Sequence, residues 1–378
     1  MLTGRVVTDA AELEDAAAAW DALAVAAGRP YCAPAWMLAW WRHLAPPGAR
    51  LHAVLVRDDE SLVGRLPTYL QSTAARLPVL RLLTGGFTAR LQPLAAPGRE
   101  ADAARCVAAA LAEHSPAPAA VVLEALPADS RWPEALAAAW PGRGAWLHED
   151  FTMDLPLAVP GAGGADAWMR ARSKNYRKES GRVRRRIGDA GGVIRRADPE
   201  EIEPAIEAAV RLYRARWDPR GGSERTNPQV ARMLLDAGSA LAAAGRFDVW
   251  LLDADGTAMA AEVFVRAGAE SSAWGGGFVP AWAGFAPSTT LMLEAIRHGA
   301  DTGVERVDLG EGEQPYKRRF TDEVQQLRWT TLLPRGRHYP LARAQEVPRH
   351  VRRWARERAR RLPPDVQDRL RALRRRMP

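Results

Sequence analysis

From Phe247 onward the chain alternates short apolar runs with turn-forming residues in an order that few folds satisfy. Phe247 to Leu252 is apolar and rich in strand formers, Asp253-Ala254-Asp255-Gly256 has the composition of a tight hairpin turn, and Met259 to Arg266 and Glu270 to Gly275 supply two further strands. An antiparallel meander is predicted. After the triplet Gly275-Gly276-Gly277 and a loop ending at Pro287, Ser288 is placed to cap a helix bearing Leu291, Leu293, Ala295 and Ile296 and ending near Gly299. Val304 to Leu309 gives the next strand, Tyr316 to Phe320 a short helix, and Gln326 to Leu333 a final strand. The order is β-β-β-α-β-α-β.

At 378 residues and 47% hydrophobic content the chain is too long for one compact domain, and two are expected. The boundaries read as 1–150, 151–335 and an Arg-rich helical tail over 336–378. In the first unit, Leu13, Ala17, Trp20 and Leu23 recur at helical spacing, and Trp36, Trp40 and Trp41 mark a second helix after Pro34. Strands are expected at Leu51 to Arg57, Leu66 to Leu70 and Ala120 to Leu126, with a helix at Ala101 to Glu113. This is a mixed α/β unit without a concentration of reactive groups. The first residues lack a basic segment followed by an apolar one, and no apolar run approaches membrane-spanning length, so a soluble cytoplasmic protein is expected. Cys32 and Cys106 are too few for a disulfide framework and show no metal-ligand spacing; no metal is expected.

The net charge of +8 is unevenly placed. Residues 170–196 hold eleven Arg and Lys against Glu179 and Asp189, and residues 335–378 hold fifteen Arg against four acids. Met169, Tyr176, Val183 and Ile187 fall on one helical face of the first cluster, with the basic groups around it. Such a run is either a solvated surface or an anion site for a phosphate-bearing donor or acceptor, with Arg177, Lys178 and Arg182 near the Ser288 helix start or Lys317. Only Lys174, Lys178 and Lys317 are lysine, by chance or because a compact ammonium is needed. The tail predicts two basic helices divided by Pro363-Pro364, either solvated or in contact with tRNA or an anionic membrane surface. No GxSxG, HExxH or GxxxxGK[ST] motif and no ligand-spaced His pair is present, which argues against hydrolase, metalloenzyme and NTPase chemistry.

Several segments in order carry a family resemblance: Ser173-Lys174-Asn175-Tyr176-Arg177-Lys178 with Arg182 to Arg186, Arg216-Trp217, Ala260-Ala261-Glu262-Val263-Phe264, Ala286-Pro287-Ser288, and Asp308-Leu309-Gly310-Glu311-Gly312 with Tyr316-Lys317. Together they resemble the CelD/BcsL-like acetyltransferases of the GNAT superfamily, over most of residues 10–335. The resemblance implies an α/β protein of the α+β type: tandem GNAT-like acyltransferase units with mixed, mainly antiparallel sheets and flanking helices. The first unit is similar to that group's degenerate one. Fem-type enzymes, which use aminoacyl-tRNA, share this architecture.

What the resemblance implies is transfer of an acyl group, acetyl from acetyl-CoA foremost, to an amine or hydroxyl of a small-molecule or glycan acceptor, with a link to polysaccharide or cell-envelope metabolism. Glu270 to Gly275 and Val304 to Leu309 match the two parallel strands that part to admit an acyl thioester. Gly275, Gly276 and Gly277 then either bring backbone donors to the acyl oxygen or form a flexible turn. Ser288, Thr289 and Thr290 would open the helix that receives pyrophosphate, although the superfamily's usual R/Q-x-x-G-x-G/A phosphate loop is absent. Tyr316 matches the tyrosine that protonates the departing thiolate. Asp308 and Glu262, ahead of Glu311 and Glu313, are candidates for the base, although Asp308 can equally cap a turn and Glu262 pair with an arginine of the basic segment. Lys317 and Trp217 join Arg177, Lys178 and Arg182 as substrate-binding candidates. A non-enzymatic module binding RNA or a membrane surface is the remaining alternative; nothing in the sequence fixes an oligomeric state.

Overall fold

The structure is a computed structural model that describes residues 2–161, 163–220, 222–310 and 316–345. The chain opens with β1 (Leu2–Val7), unforeseen because it alternates half-buried and exposed residues without an apolar run. The expected first helix is two, α1 (Ala10–Asp15), whose start is capped by Asp9 accepting from the Ala11 N–H at 3.0 Å, and α2 (Ala17–Ala26). Proline at the first turn starts α3 (Pro34–Leu44). The strands β2 (Arg50–Leu51), β3 (Ala53–Asp58), β4 (Ser61–Leu66), β5 (Thr68–Ser72), β6 (Pro78–Leu82) and β7 (Leu94–Ala95) follow, then α4 (Glu100–Glu113), β8 (Ala120–Pro127), α5 (Trp132–Ala139) and β9 (Ala145–Ala158). The strand expected at Leu66 to Leu70 is interrupted at Pro67, which has no N–H for a ladder; β4 ends there in one sheet and β5 begins another.

The basic segment forms two helices, α6 (Gly164–Ala171) and α7 (Lys174–Asp189). Ser173 caps α7 by accepting from the Tyr176 N–H at 3.2 Å, and the Arg177 guanidinium donates to the Arg170 carbonyl at 2.7 Å and to that of Arg172. These satisfy the free ends that a break creates. Next come β10 (Val193–Arg196), α8 (Ile202–Trp217), α9 (Gln229–Ala243), β11 (Phe247–Ala254), β12 (Thr257–Ala267), β13 (Glu270–Phe278), α10 (Pro287–Asp301), β14 (Arg306–Asp308) and β15 (Glu323–Pro334). The expected short helix after Tyr316 is a single 3-10 turn, Lys317–Arg319. Residues 311–315 and 346–378, which include Glu311, Glu313 and most of the expected Arg-rich tail, lie outside the described residues.

Four strands form a small antiparallel sheet in the order β1-β3-β4-β7, and eleven form one large sheet, β10-β11-β12-β13-β14-β9-β15-β8-β6-β5-β2. Among the described residues only β6 with β8 and β13 with β14 pair in parallel, each pair joined through a helix, α4 or α10. The expectation of mixed, mainly antiparallel sheets is met. β9 runs unbroken through residue 150 and borders β14, whereas β15 borders β8 of the first half. β15 of the second half therefore lies between β8 of the first and β9, which straddles the expected boundary. The largest apolar core follows suit, uniting Trp20, Trp36 and Val54 with Ile206, Leu234, Val263 and Trp274.

This arrangement makes a direct prediction. A chain ending at Asp322 keeps every described cavity residue but removes β15 from the middle of the large sheet, leaving β8 and β9 with unpaired edges. It should show no cooperative thermal transition by circular dichroism, whereas the full chain should show one.

Candidate active site

β13 and β14 pair over only three positions, Glu270 with Arg306, Ser271 with Val307 and Ser272 with Asp308. Beyond them, among the described residues, β13 continues to Phe278 paired with β12 and no longer with β14, so the expected parallel strands do part at one end. The parting coincides with a bulge: Phe264 faces Ala273 and Val263 faces Gly275, leaving Trp274 as the extra residue. A cavity of about 470 Å³ occupies the gap. Its wall includes Glu262, Gly275, Gly276, Asp308, Tyr316 and Lys317 from the second half, Tyr213, Arg216 and Trp217 from α8, and Tyr31, Gly86 and Ala89 from the first half.

The glycine triplet lies inside β13 and not in a loop beyond it, and two of the three make close approaches possible. A Cβ on Gly277 would strike the backbone of Leu212 and Tyr213, so its absence lets α8 lie directly on the strand. One on Gly276 would strike the Ala261 carbonyl and the Glu262 carboxylate. Gly275 and Gly276 line the cavity, whereas Gly277 faces α8.

Glu262 sits directly across the ladder from Gly276, 4% exposed. Burial pushes its carboxyl up to about 7, opposed by the Ser288 hydroxyl and by the charges of Arg216 and Lys317. The arginine charge that acts on Glu262 comes from Arg216 of α8 and not from the basic segment. Asp308 is buried and likewise raised by burial, with Arg90, the Gly310 N–H and Lys317 opposing; its Oδ1 accepts from that N–H at 2.7 Å, the turn-capping role. Lys317 is 5% exposed and donates to the Gly310 carbonyl at 2.8 Å. The Tyr316 phenol is pushed up to about 12 by burial and by the neighbouring Glu262 charge, with Arg216 opposing.

Ser288 does not cap α10. It is the second helical residue, buried, after Pro287 and the left-handed Ala286, whose φ is 46°. The Thr290 hydroxyl donates back to the Ala286 carbonyl at 3.2 Å, and Thr289 is half-buried. These three are not among the cavity-lining residues, and neither are Arg177, Lys178 and Arg182, which are exposed on α7. α7 nonetheless lies along α10: Arg184 pairs at 2.5 Å with Glu294 in its middle, and the Arg186 guanidinium stands 5.2 Å from the Phe285 ring just ahead of its start.

Residues 174–318 match the family model described as Acetyltransferase (GNAT) domain. That span holds the meander, the parted strands and the cavity's second-half residues, and it supports an acyltransferase domain. The fold is similar to that of a solved structure of FemX, with 10% sequence identity and a TM-score of 0.55 over 78% of this chain and 90% of that one. It is also similar to a conserved protein of unknown function from Bacteroides thetaiotaomicron, with 11% identity and a TM-score of 0.51 over 88% of this chain and all of that one. At such identities the likeness is one of fold, and the fold is that of tandem GNAT-like units. No curated protein matches the sequence significantly. Among the described residues no helix is long and apolar enough to cross a membrane, and no group of three or more His, Cys, Asp or Glu is placed to hold a metal.

Sequence reasoning left Tyr31, Gly86, Ala89, Tyr213, Arg225 and Trp274 out of the site. The i, i+4 spacing of Tyr213 and Trp217 was an available signal for α8. The first-half residues gave none, since only the tertiary fold brings them to β13. The glycine geometry is testable. Gly276→Ala should destabilise by about 1–3 kcal/mol in urea titration through forced overpacking. Gly181→Ala, in the open middle of α7 where the nearest atom is the Arg185 Nη1 at 3.7 Å, should stabilise by about 0.5–1 kcal/mol.

Proposed function

We propose that this cavity transfers an acyl group from a thioester, acetyl-CoA foremost, to an amine or hydroxyl acceptor, with Glu262 as general base. One observation carries this reading: a buried carboxylate held at about 7 faces the gap where β13 and β14 part. A base must be free of its proton at working pH yet hold it well once acquired, and a value near neutrality meets both demands. As the acceptor's nucleophile bonds to the acyl carbon, its proton passes to Glu262. Tyr316, neutral throughout this range, donates a hydrogen bond to the sulfur as the carbon–sulfur bond breaks. Lys317 supplies positive charge between the two carboxylates, and Asp308 holds the turn at the end of β14.

The donor reading draws support from the start of α10, where the Ser288 and Thr289 N–H groups belong to the first turn and the helix dipole favours an anion. Arg186 over Phe285 adds positive charge nearby. The finer placement among CelD/BcsL-like enzymes, and with it a glycan or cell-envelope acceptor and a cytoplasmic location, rests on the sequence motifs. Thermal-shift titration against acetyl-CoA, longer acyl-CoAs and aminoacyl-tRNA tests the donor, since a ligand bound by the folded state raises the melting temperature. Stabilisation by aminoacyl-tRNA alone would replace this reading with the Fem-type one.

The pH dependence has a definite sign. With the Glu262 carboxyl raised to about 7, kcat/KM should climb as pH rises through about 7 and then level. Glu262→Gln should abolish that limb and lower kcat by about 10²- to 10⁴-fold. A raised folded pKa also means that ionising Glu262 opposes folding: its contribution is greatest below the ordinary carboxylate value and is lost as pH rises through about 7. Glu262→Gln should therefore melt higher than the parent at pH 8 and nearly equally at pH 5. Tyr316→Phe should lower kcat by about 10²-fold with donor binding retained in calorimetry.

A further inference from the structure

The connection between α8 and α9 carries a side chain that touches both halves of the molecule. Arg225 sits in a 3-10 turn, Glu224–Thr226, braced by the Ser223 N–H donating to the Thr226 hydroxyl at 3.1 Å and by that hydroxyl donating to the Ser223 carbonyl at 2.8 Å. Its guanidinium donates through Nε at 3.2 Å and Nη2 at 2.9 Å to the Phe87 carbonyl of the first half, and through Nη1 to the Trp274 carbonyl. The same group lies 5.8 Å from the Phe87 ring centre and 5.5 Å from that of Trp274. Trp274 is the extra residue of the β13 bulge, beside the cavity. A bulge residue falls outside the regular ladder, so its peptide plane needs another restraint.

We infer that Arg225 is a positioning residue that locks the bulge of β13 against the amino-terminal half. The peptide unit is planar, so holding the Trp274 carbonyl also fixes where the Gly275 N–H points. That direction governs the backbone donors that the cavity offers to an acyl oxygen. The first half, which has no evident chemistry of its own, thereby acts as the fixed backstop for the reacting centre. A planar fork suits the task because it engages two carbonyls at once, which one ammonium does poorly. The inference rests on the acyl-transfer reading for its consequence and on geometry alone for the latch.

The test uses the full chain with Arg225→Ala and Arg225→Lys. Hydrogen exchange followed by mass spectrometry should quicken in segments 84–90 and 270–278 of Arg225→Ala, with segments 145–158 and 323–334 unchanged. With acetyl-CoA and a mixed panel of amine acceptors, kcat for thiol release should fall about 10- to 100-fold, the cost of a small misplacement. The acetyl-CoA dissociation constant should stay within about threefold. Arg225→Lys should recover only part of the rate, and free guanidinium, but not methylammonium, should partly restore Arg225→Ala. Unchanged exchange in the two named segments would overturn the latch. Faster exchange with unchanged kcat would overturn the positioning role while leaving acyl transfer intact. If the parent protein released no thiol with any acceptor, the acyl-transfer reading and the positioning role would fall together, and the exchange result would still decide the latch.

Discussion

The antiparallel pairing of β9 with β15 organises the whole molecule, because these strands stand at the junction of the two halves in the large sheet. Their register runs from Glu323 opposite Leu157 to Pro334 opposite Ala145, joining segments far apart in the chain. With β9 also bordering β14 and β15 also bordering β8, neither half closes its sheet without the other. The cavity inherits this arrangement, taking walls from both. A chain of rings crosses between the halves at the same place: Tyr31 to Trp36 at 5.0 Å between centres, Trp36 to Phe87 at 6.5 Å, Phe87 to Trp274 at 6.4 Å and Trp274 to Tyr213 at 5.3 Å. Rings so spaced make favourable tilted contacts and bury much apolar area. The interface is thus a continuous core, and the cavity opens beside it.

Within that setting the site balances burial against charge. Glu262 and Asp308 are both removed from water, which raises both carboxyls, and Lys317 pulls both down again. Arg216 adds to the pull at Glu262, and Arg90 at Asp308. Arg90 belongs to the first half and also binds Glu270 at 2.9 Å and Gln325 at 3.1 Å. The first half therefore shapes the electrostatics as well as the walls. The two carboxylates differ in setting: Asp308 accepts from the Gly310 N–H, whereas Glu262 stands against Gly276 beside the gap. Burying an ionisable group costs stability, and sites that keep one do so at the expense of the fold.

The sequence made the second half legible where pattern and punctuation agreed. The meander, α10 and the last strand follow from apolar runs bounded by Asp-Gly, Pro and Gly, and Trp36, Trp40 and Trp41 marked α3 for the same reason. Boundaries slipped where a local rule was outweighed. Ser288 looks like a cap, yet Pro287 starts the helix, two residues earlier than such a cap would, and leaves the serine buried. Three successive glycines look like a loop, yet β13 keeps them because α8 and Glu262 come too close for side chains. The basic face of α7 was visible from its charges, but charge does not tell whether such a face lines a cavity or, as here, lies exposed outside it. The pairing of β15 with β8 and β9 left no local trace, since partners over a hundred residues apart depend on the whole chain.

The arginine bias acquires a physical meaning beside the few lysines. Arg225 joins two carbonyls in different halves, Arg90 joins a carboxylate and an amide, and Arg195 joins Asp253 and Glu201. A planar fork with five donors bridges such pairs and holds its geometry as it does so. Lys174 and Lys178 are exposed on α7, where either cation would serve. Lys317 differs. It is buried, its Nζ meets the Gly310 carbonyl, and a Cβ built on Gly310 itself would lie 3.6 Å from that nitrogen. A guanidinium there must find room for a larger planar group between Gly310 and the two carboxylates whose ionised forms the ammonium favours. The one buried lysine thus stands beside the cavity with its ammonium on a backbone carbonyl, whereas the other two are exposed.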